Sequence, residues 1–231
     1  MESDIRPGRF QVLPLVIKNL IIINALVWLA QITVGQDLLS IEDLFALHHF
    51  SSEHYHFWQF ITYMFLHSST SFFHILFNMF ALWMFGSTLE NLWGPGRFLV
   101  FYLICGIGAG ITQILALTYD IHHANTLYQI GQASAEQVYF SMNAATLGAS
   151  GAVMGIFAAF AYTFPNSQMI ILPIPFPIKA KWALLGLAVL DLIGGVSSQS
   201  TGIAHFAHLG GAAVGIVVVM IWNRRNRRHF Y

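Results

Sequence analysis

Charge is the scarcest commodity in this chain. Of its 231 residues only 9% are Asp, Glu, Lys or Arg, and the mean hydropathy is +0.64. Soluble domains carry about 25% charged residues. A surface that faces water throughout is therefore excluded, and the composition places the chain in lipid. Ten basic and ten acidic residues cancel, which argues against a nucleic-acid partner. Cysteine is rarer still. Cys105 stands alone, so an intramolecular disulfide is excluded, and its apolar surroundings read as those of a small buried hydrophobe. Internal repeats, low-complexity tracts and a second domain are missing too. Residues 1–231 read as one membrane domain with a short N-terminal segment, 1–14, and a basic tail, 223–231. No cleavable signal peptide is expected, because the first apolar run continues too far for an h-region and cleavage site.

What is plentiful is apolar sequence, 56% of the chain. A spanning helix needs about 20 mostly apolar residues. Six stretches fit: Leu15–Val34, Phe72–Leu89, Phe98–Leu117, Ala144–Phe164, Lys181–Val196 and Ile203–Trp222. The expected class is thus all-α, a polytopic bundle of six transmembrane helices. Phe57–Leu66 is too short to span, and Met169–Ile178 contains Pro173, Pro175 and Pro177, which do not continue a helix.

Charge placement tests that count independently. Six spans leave both termini on one side, with the 90–97 and 165–181 connections. All ten basic residues (Arg6, Arg9, Lys18, Arg97, Lys179, Lys181, Arg224, Arg225, Arg227 and Arg228) fall on that side or at its boundary. The opposite loops hold Asp37, Glu42, Asp43, Glu53, Asp120 and Glu136 without a Lys or Arg. The positive-inside rule predicts cytoplasmic termini, as in a bacterial inner (plasma) membrane protein. Of the outward connections, residues 35–71 are dense in rings with polar tips, which suit the headgroup layer. Residues 118–143 read as a polar external loop.

Chemistry concentrates at Gly148-Ala149-Ser150-Gly151, by the outer start of the fourth span. Small residues also serve as packing surfaces in membrane helices; position gives this string its weight. A serine at a helix N-terminus meets free backbone N–H groups and the positive dipole end, both of which favour an oxyanion. Serine needs a base, and the sixth span supplies His208. His208, Gly211 and Gly215 share one helical face by their i, i+3, i+7 spacing, and Gly151 and Gly155 make a matching face on the fourth span. Two such faces pack with close backbones, which brings His208 towards Ser150. His205 is the competing base, on nearly the same face but closer to the outer surface. His74 and Asn78 in the second span, four apart, are both able to donate to a developing oxyanion; the alternative is interhelical hydrogen bonding. Asp191 reads as a near-surface or packing residue, since no spacing links it to either histidine.

These residues resemble the rhomboid proteases over about residues 15–222. The likeness rests on His74-x-x-x-Asn78, Gly148-Ala149-Ser150-Gly151, Ala207-His208-Leu209-Gly210-Gly211, and Glu90 with the Gly94-Pro95-Gly96-Arg97 turn. It implies a six-helix rhomboid bundle and a Ser150–His208 dyad with no acidic third member. It further implies oxyanion binding by His74, Asn78 and the Ser150 backbone N–H. The implied partners are the bilayer and transmembrane protein substrates that enter laterally; no cofactor and no metal are implied, and the oligomeric state is left open. Two departures stand out: Met154 where many rhomboids place an aromatic four residues after the serine, and Trp58-Gln59 where a Trp-Arg pair is common. Other readings are a catalytically silent relative that binds membrane clients, a small transporter or channel, and a metalloenzyme. The last lacks a His-Glu-x-x-His pattern.

Overall fold

A computed structural model describes residues 10–34, 40–170, 176–197 and 204–227. Arg6, Arg9, Asp37, Pro173, Pro175, Ile203 and Arg228, used above, lie outside the described residues, as do the side chains of Arg225 and Arg227. In chain order the elements are α1 (Leu15–Thr33), α2 (Ile41–Phe45), α3 (Gln59–Thr62), a 3-10 turn (Tyr63–Phe65), α4 (Phe72–Trp93) and α5 (Pro95–Gln129). They continue with α6 (Ala135–Met142), α7 (Ser150–Thr163), β1 (Gln168–Met169), β2 (Ile178–Lys179), α8 (Ala180–Val196) and α9 (His205–Arg227). The two short strands pair antiparallel, Gln168 opposite Lys179, and turn the chain round between α7 and α8.

Among the described residues, four helices are long and apolar enough to cross a membrane: α1, α4, α5 and α9. The fourth and fifth expected spans are the shorter helices α7, 14 residues, and α8, 17 residues. α7 starts at Ser150 rather than 144 because the preceding segment is spent elsewhere. Leu47 and Thr146 exchange two backbone hydrogen bonds of 2.8 and 2.9 Å, and Gly148 has a φ of 125°, a conformation that no helix contains. The third span departs in the other direction. Residues 118–129 are a continuation of α5 and 135–142 form α6, so the polar loop expected at 118–143 is largely helical. Nothing in 118–129 breaks a helix, and Thr118, Asn125 and Thr126 return their side chains to carbonyls four residues back. Helix α5 stops only at Gly131, with a φ of 74°, and Ser134 with Gln137 then forms a capping box that starts α6.

Helix α7 is the axis of the molecule. Gly151, Ala152, Val153, Gly155, Ile156, Phe157, Ala158, Ala159 and Ala161 are all buried. Small residues set its closest approach, to α9: a Cβ on Gly211 would collide with the carbonyl oxygen of Gly151, and one on Gly215 would lie 2.5 Å from that of Gly155. Gly155 meets Cys105 of α5 in the same way, at 2.6 Å. The expected glycine faces therefore do pack backbone to backbone. Among lipid-like neighbours apolar burial drives little association, so close packing of this kind is what holds helices together.

Helix α1 sits further out, and one carboxylate caps its first turn. Glu90, 3% exposed, accepts the backbone N–H groups of Val16 and Ile17, each at 2.9 Å. Those donors have no intrahelical partner in the first turn, and a negative charge there also meets the positive end of the helix dipole. The segment between α1 and α4 folds onto the bundle: Leu47, Tyr63 and Met64 are in the core, and the Tyr63 hydroxyl donates to the Gly106 carbonyl at 2.6 Å.

Candidate active site

Ser150 opens α7, with Ala149 as its N-cap residue. The turn before it is clamped from one side: the Gly148 N–H donates to the Tyr63 carbonyl at 3.0 Å. His208 lies one turn into α9, opposite Ser150, and its Nε2 is 2.7 Å from the Ser150 hydroxyl. The glycine contacts one and two turns further along α9 explain this short distance, because a bulkier pair would hold the helices apart. His205 occupies a different position. Its Nδ1 is 2.8 Å from Oδ1 of Asp191, so of the two candidate bases His208 is the one that meets the serine.

Asp191 departs from the sequence expectation. Asp191 is 8% exposed, and the same oxygen lies 3.0 Å from Nδ1 of His208. The residue is linked to the histidine after all. The link joins the last turns of α8 to the first turn of α9 across a connection whose length is not a periodic spacing, so no pattern in the chain announces it. A carboxylate only accepts, so Nδ1 carries the hydrogen and Nε2 is left as the acceptor for the Ser150 O–H. The ring neighbour of His208 is His205, edge-on at 6.5 Å, while Met154 packs half-buried against the core.

On the other side stands His74, in the first turn of α4. The Ser68 N–H donates to its Nδ1 at 3.2 Å. By the same logic its Nε2 carries the hydrogen. A Cβ placed on Gly148 would be 3.1 Å from that Nε2 and 3.7 Å from the Ser150 Oγ. The donor and the hydroxyl thus border one small space, which the missing side chain of Gly148 leaves open. Asn78 sits one turn below, 7% exposed, with its amide donating to the His74 carbonyl at 2.8 Å. This bond is within α4 rather than between helices, and it uses one of the two amide N–H groups. The second shares the helical face of His74.

Further from the serine, Gln59 does what its sequence position left unassigned. Fully buried, it donates from Nε2 to the carbonyls of His54 at 2.7 Å and Asp43 at 3.2 Å, and its oxygen accepts the His48 N–H at 3.2 Å. An amide, acting in both directions, ties three stretches of this segment together where an arginine would only donate. Burial shifts three histidines of the segment, disfavouring their charged forms. Desolvation lowers the pKa of His48 and of His49. Burial, with the neighbouring His74 adding to it, lowers that of His67 to about 3.

Comparison with known proteins gives this arrangement a family. A Rhomboid domain profile matches residues 54–225. Rhomboid protease AarA of Providencia stuartii is 29% identical over 209 residues, covering 87% of this chain and 69% of that protein. The mitochondrial presenilin-associated rhomboid-like protein of Homo sapiens is 30% identical over 164 residues, 68% of this chain; the match spans only 38% of that longer protein. Rhomboid-like protein 11, chloroplastic, of Arabidopsis thaliana is 28% identical over 217 residues, 87% of this chain and 66% of its own length. With the profile covering most of the chain and its boundaries enclosing Ser150, His208 and His74, this integral membrane protein belongs to the rhomboid family.

Proposed function

We propose that the protein is an intramembrane serine endopeptidase that cleaves peptide bonds in or near transmembrane segments of other membrane proteins. The observation that carries the reading is the 2.7 Å contact between Ser150 Oγ and His208 Nε2, at a helix N-terminus and facing a histidine donor. In the first step the Ser150 oxygen attacks a substrate carbonyl carbon while its proton moves to His208 Nε2. The carbonyl π pair becomes an oxyanion, which collects hydrogen bonds from His74 Nε2–H, the free Asn78 N–H and the Ser150 backbone N–H. His208 then protonates the leaving amine, the C–N bond breaks, and water resolves the acyl-enzyme by the reverse sequence.

Helix α7 spans roughly 21 Å at 1.5 Å per residue, against a hydrocarbon thickness of about 30 Å. With its far end at one interface, Ser150 is recessed below the other. A substrate reaches it laterally from the bilayer, and its helix must unwind there, because a helical carbonyl is already hydrogen-bonded. The distribution of Lys and Arg supports an orientation with both termini in the cytoplasm and the serine towards the opposite face, and the membrane proposed is a bacterial plasma membrane.

The test uses purified protein in detergent with a labile transmembrane peptide. Wild type cleaves; Ser150→Ala and His208→Ala do not, and a fluorophosphonate labels wild type but not Ser150→Ala. Cleavage that survives either substitution refutes the assignment. A wild-type protein that binds the peptide without cleaving it is the behaviour of a silent, client-binding relative.

A further inference from the structure

Serine and histidine alone leave one question open: what keeps His208 in the tautomer that accepts a proton? A neutral imidazole has one N–H and one lone pair, and only the form with hydrogen on Nδ1 presents its lone pair to Ser150. An unsupported ring populates the wrong form and rotates away. Here Nδ1 faces Oδ1 of the buried Asp191 at 3.0 Å, inside the protein.

The carboxylate is itself built into place. His205 donates its Nδ1–H to the same oxygen at 2.8 Å. The His205 ring lies against α8 at Gly194, where a Cβ would come 2.5 Å from Nε2. Gly195 accommodates the Phe206 ring in the same manner, at 2.9 Å. The end of α8 is therefore shaped to the first turn of α9. Elsewhere α8 is little embedded: its buried residues are Ala180, Ala183 and Asp191. Past Ala183, the only side chain that α8 buries is the one that reaches His208.

We propose that Asp191 is a positioning residue for the Ser150–His208 pair, held by His205, and that it delivers this support from α8. The inference rests on the protease reading above. During attack the proton passes from Ser150 Oγ to His208 Nε2, and the Oγ electron pair forms the bond to carbon. Asp191 keeps its negative charge throughout, takes no proton, and offsets the imidazolium that appears. Because the carboxylate arrives on the most peripheral of the helices around the site, seating α8 against α9 and orienting the base are one event.

The experiment compares wild type, Asp191→Asn, His205→Ala and Ser150→Ala, each full-length in detergent with the same transmembrane peptide. Proton NMR of protein labelled with 15N-histidine follows the Nδ1–H of His208, assigned by its loss in His208→Ala. Asparagine keeps the shape but can turn its amide to donate, which forces the wrong tautomer. The expected result is a fall in kcat of about tenfold or more for Asp191→Asn with KM within about twofold, since loss of the acidic partner acts on the proton transfer and not on binding. The low-field Nδ1–H resonance present in wild type and in Ser150→Ala disappears. His205→Ala keeps the resonance and loses less activity.

Wild-type kcat in a folded Asp191→Asn, with Ser150→Ala inactive, overturns this proposal and leaves the protease reading intact. No cleavage and no fluorophosphonate labelling of wild type removes both. Should Asp191→Asn fail to fold, the wild-type spectrum decides: a His208 with its hydrogen on Nε2 overturns the proposal.

Discussion

Replacing Gly148 by alanine probes the space that His74, Ser150 and the first turn of α7 share. Two costs follow from the geometry. The φ of 125° is a conformation that L-residues rarely adopt, and forcing it costs on the order of 1–3 kcal/mol of stability. The added methyl also stands 3.1 Å from His74 Nε2 and 3.7 Å from Ser150 Oγ, where the oxyanion would form. Removing one donor from an oxyanion site lowers kcat by about 10²–10³-fold, and a methyl group both displaces the oxygen and shields the donor. Gly148→Ala is therefore expected to lose about two orders of magnitude or more in kcat while remaining folded in detergent. The assay is initial-rate cleavage of a transmembrane peptide, paired with a thermal melt of the same sample. His74→Ala removes the donor without adding a methyl, and it should lose a comparable factor with no loss of stability from backbone strain. A folded Gly148→Ala with near wild-type kcat would refute the placement of the oxyanion between His74 and Ser150.

Two further outcomes concern the frame around the site. Glu90→Gln exchanges two charge-assisted hydrogen bonds to Val16 and Ile17 for at most one neutral bond, a loss of about 2–4 kcal/mol; the detergent melting temperature should fall. Cleavage at low temperature should persist, because Glu90 lies roughly 24 Å along α4 from His74 at 1.5 Å per residue. Acid should destabilise the protein through His67. Its pKa in the folded state, about 3, lies below its ordinary 6.5, so between those values the unfolded chain binds a proton that the folded chain refuses. Stability is full above the ordinary value and declines as pH falls through the window, by up to a few kcal/mol. His48 and His49, also lowered by burial, act with the same sign. Melts at about pH 7.5 and pH 5 should differ, and His67→Phe should narrow the gap; a gap unchanged by that substitution refutes the assignment to His67.

Much of this molecule is legible in the bare chain because the controlling forces are local. Lipid demands long apolar runs with internally satisfied backbones, and the 3.6-residue period places His208, Gly211 and Gly215 on one face and Gly151 with Gly155 on another. Those two facts bring the His208 face towards Ser150, but they leave His205 as a competing base that only the structure directs elsewhere. The continuation of α5 to Gln129 was masked by polarity: a helix that outruns the hydrocarbon looks, in hydropathy, like a loop. Other features exist only in three dimensions. Glu90 caps a helix 73 and 74 residues away in the chain, Gln59 bridges three segments of an irregular stretch, and Asp191 reaches His208 from a separate helix 17 residues before it. A polar side chain declares its type in the sequence but not its partner. Which buried donor meets which acceptor depends on how closely the helices approach, and that distance is set by glycines elsewhere in the bundle.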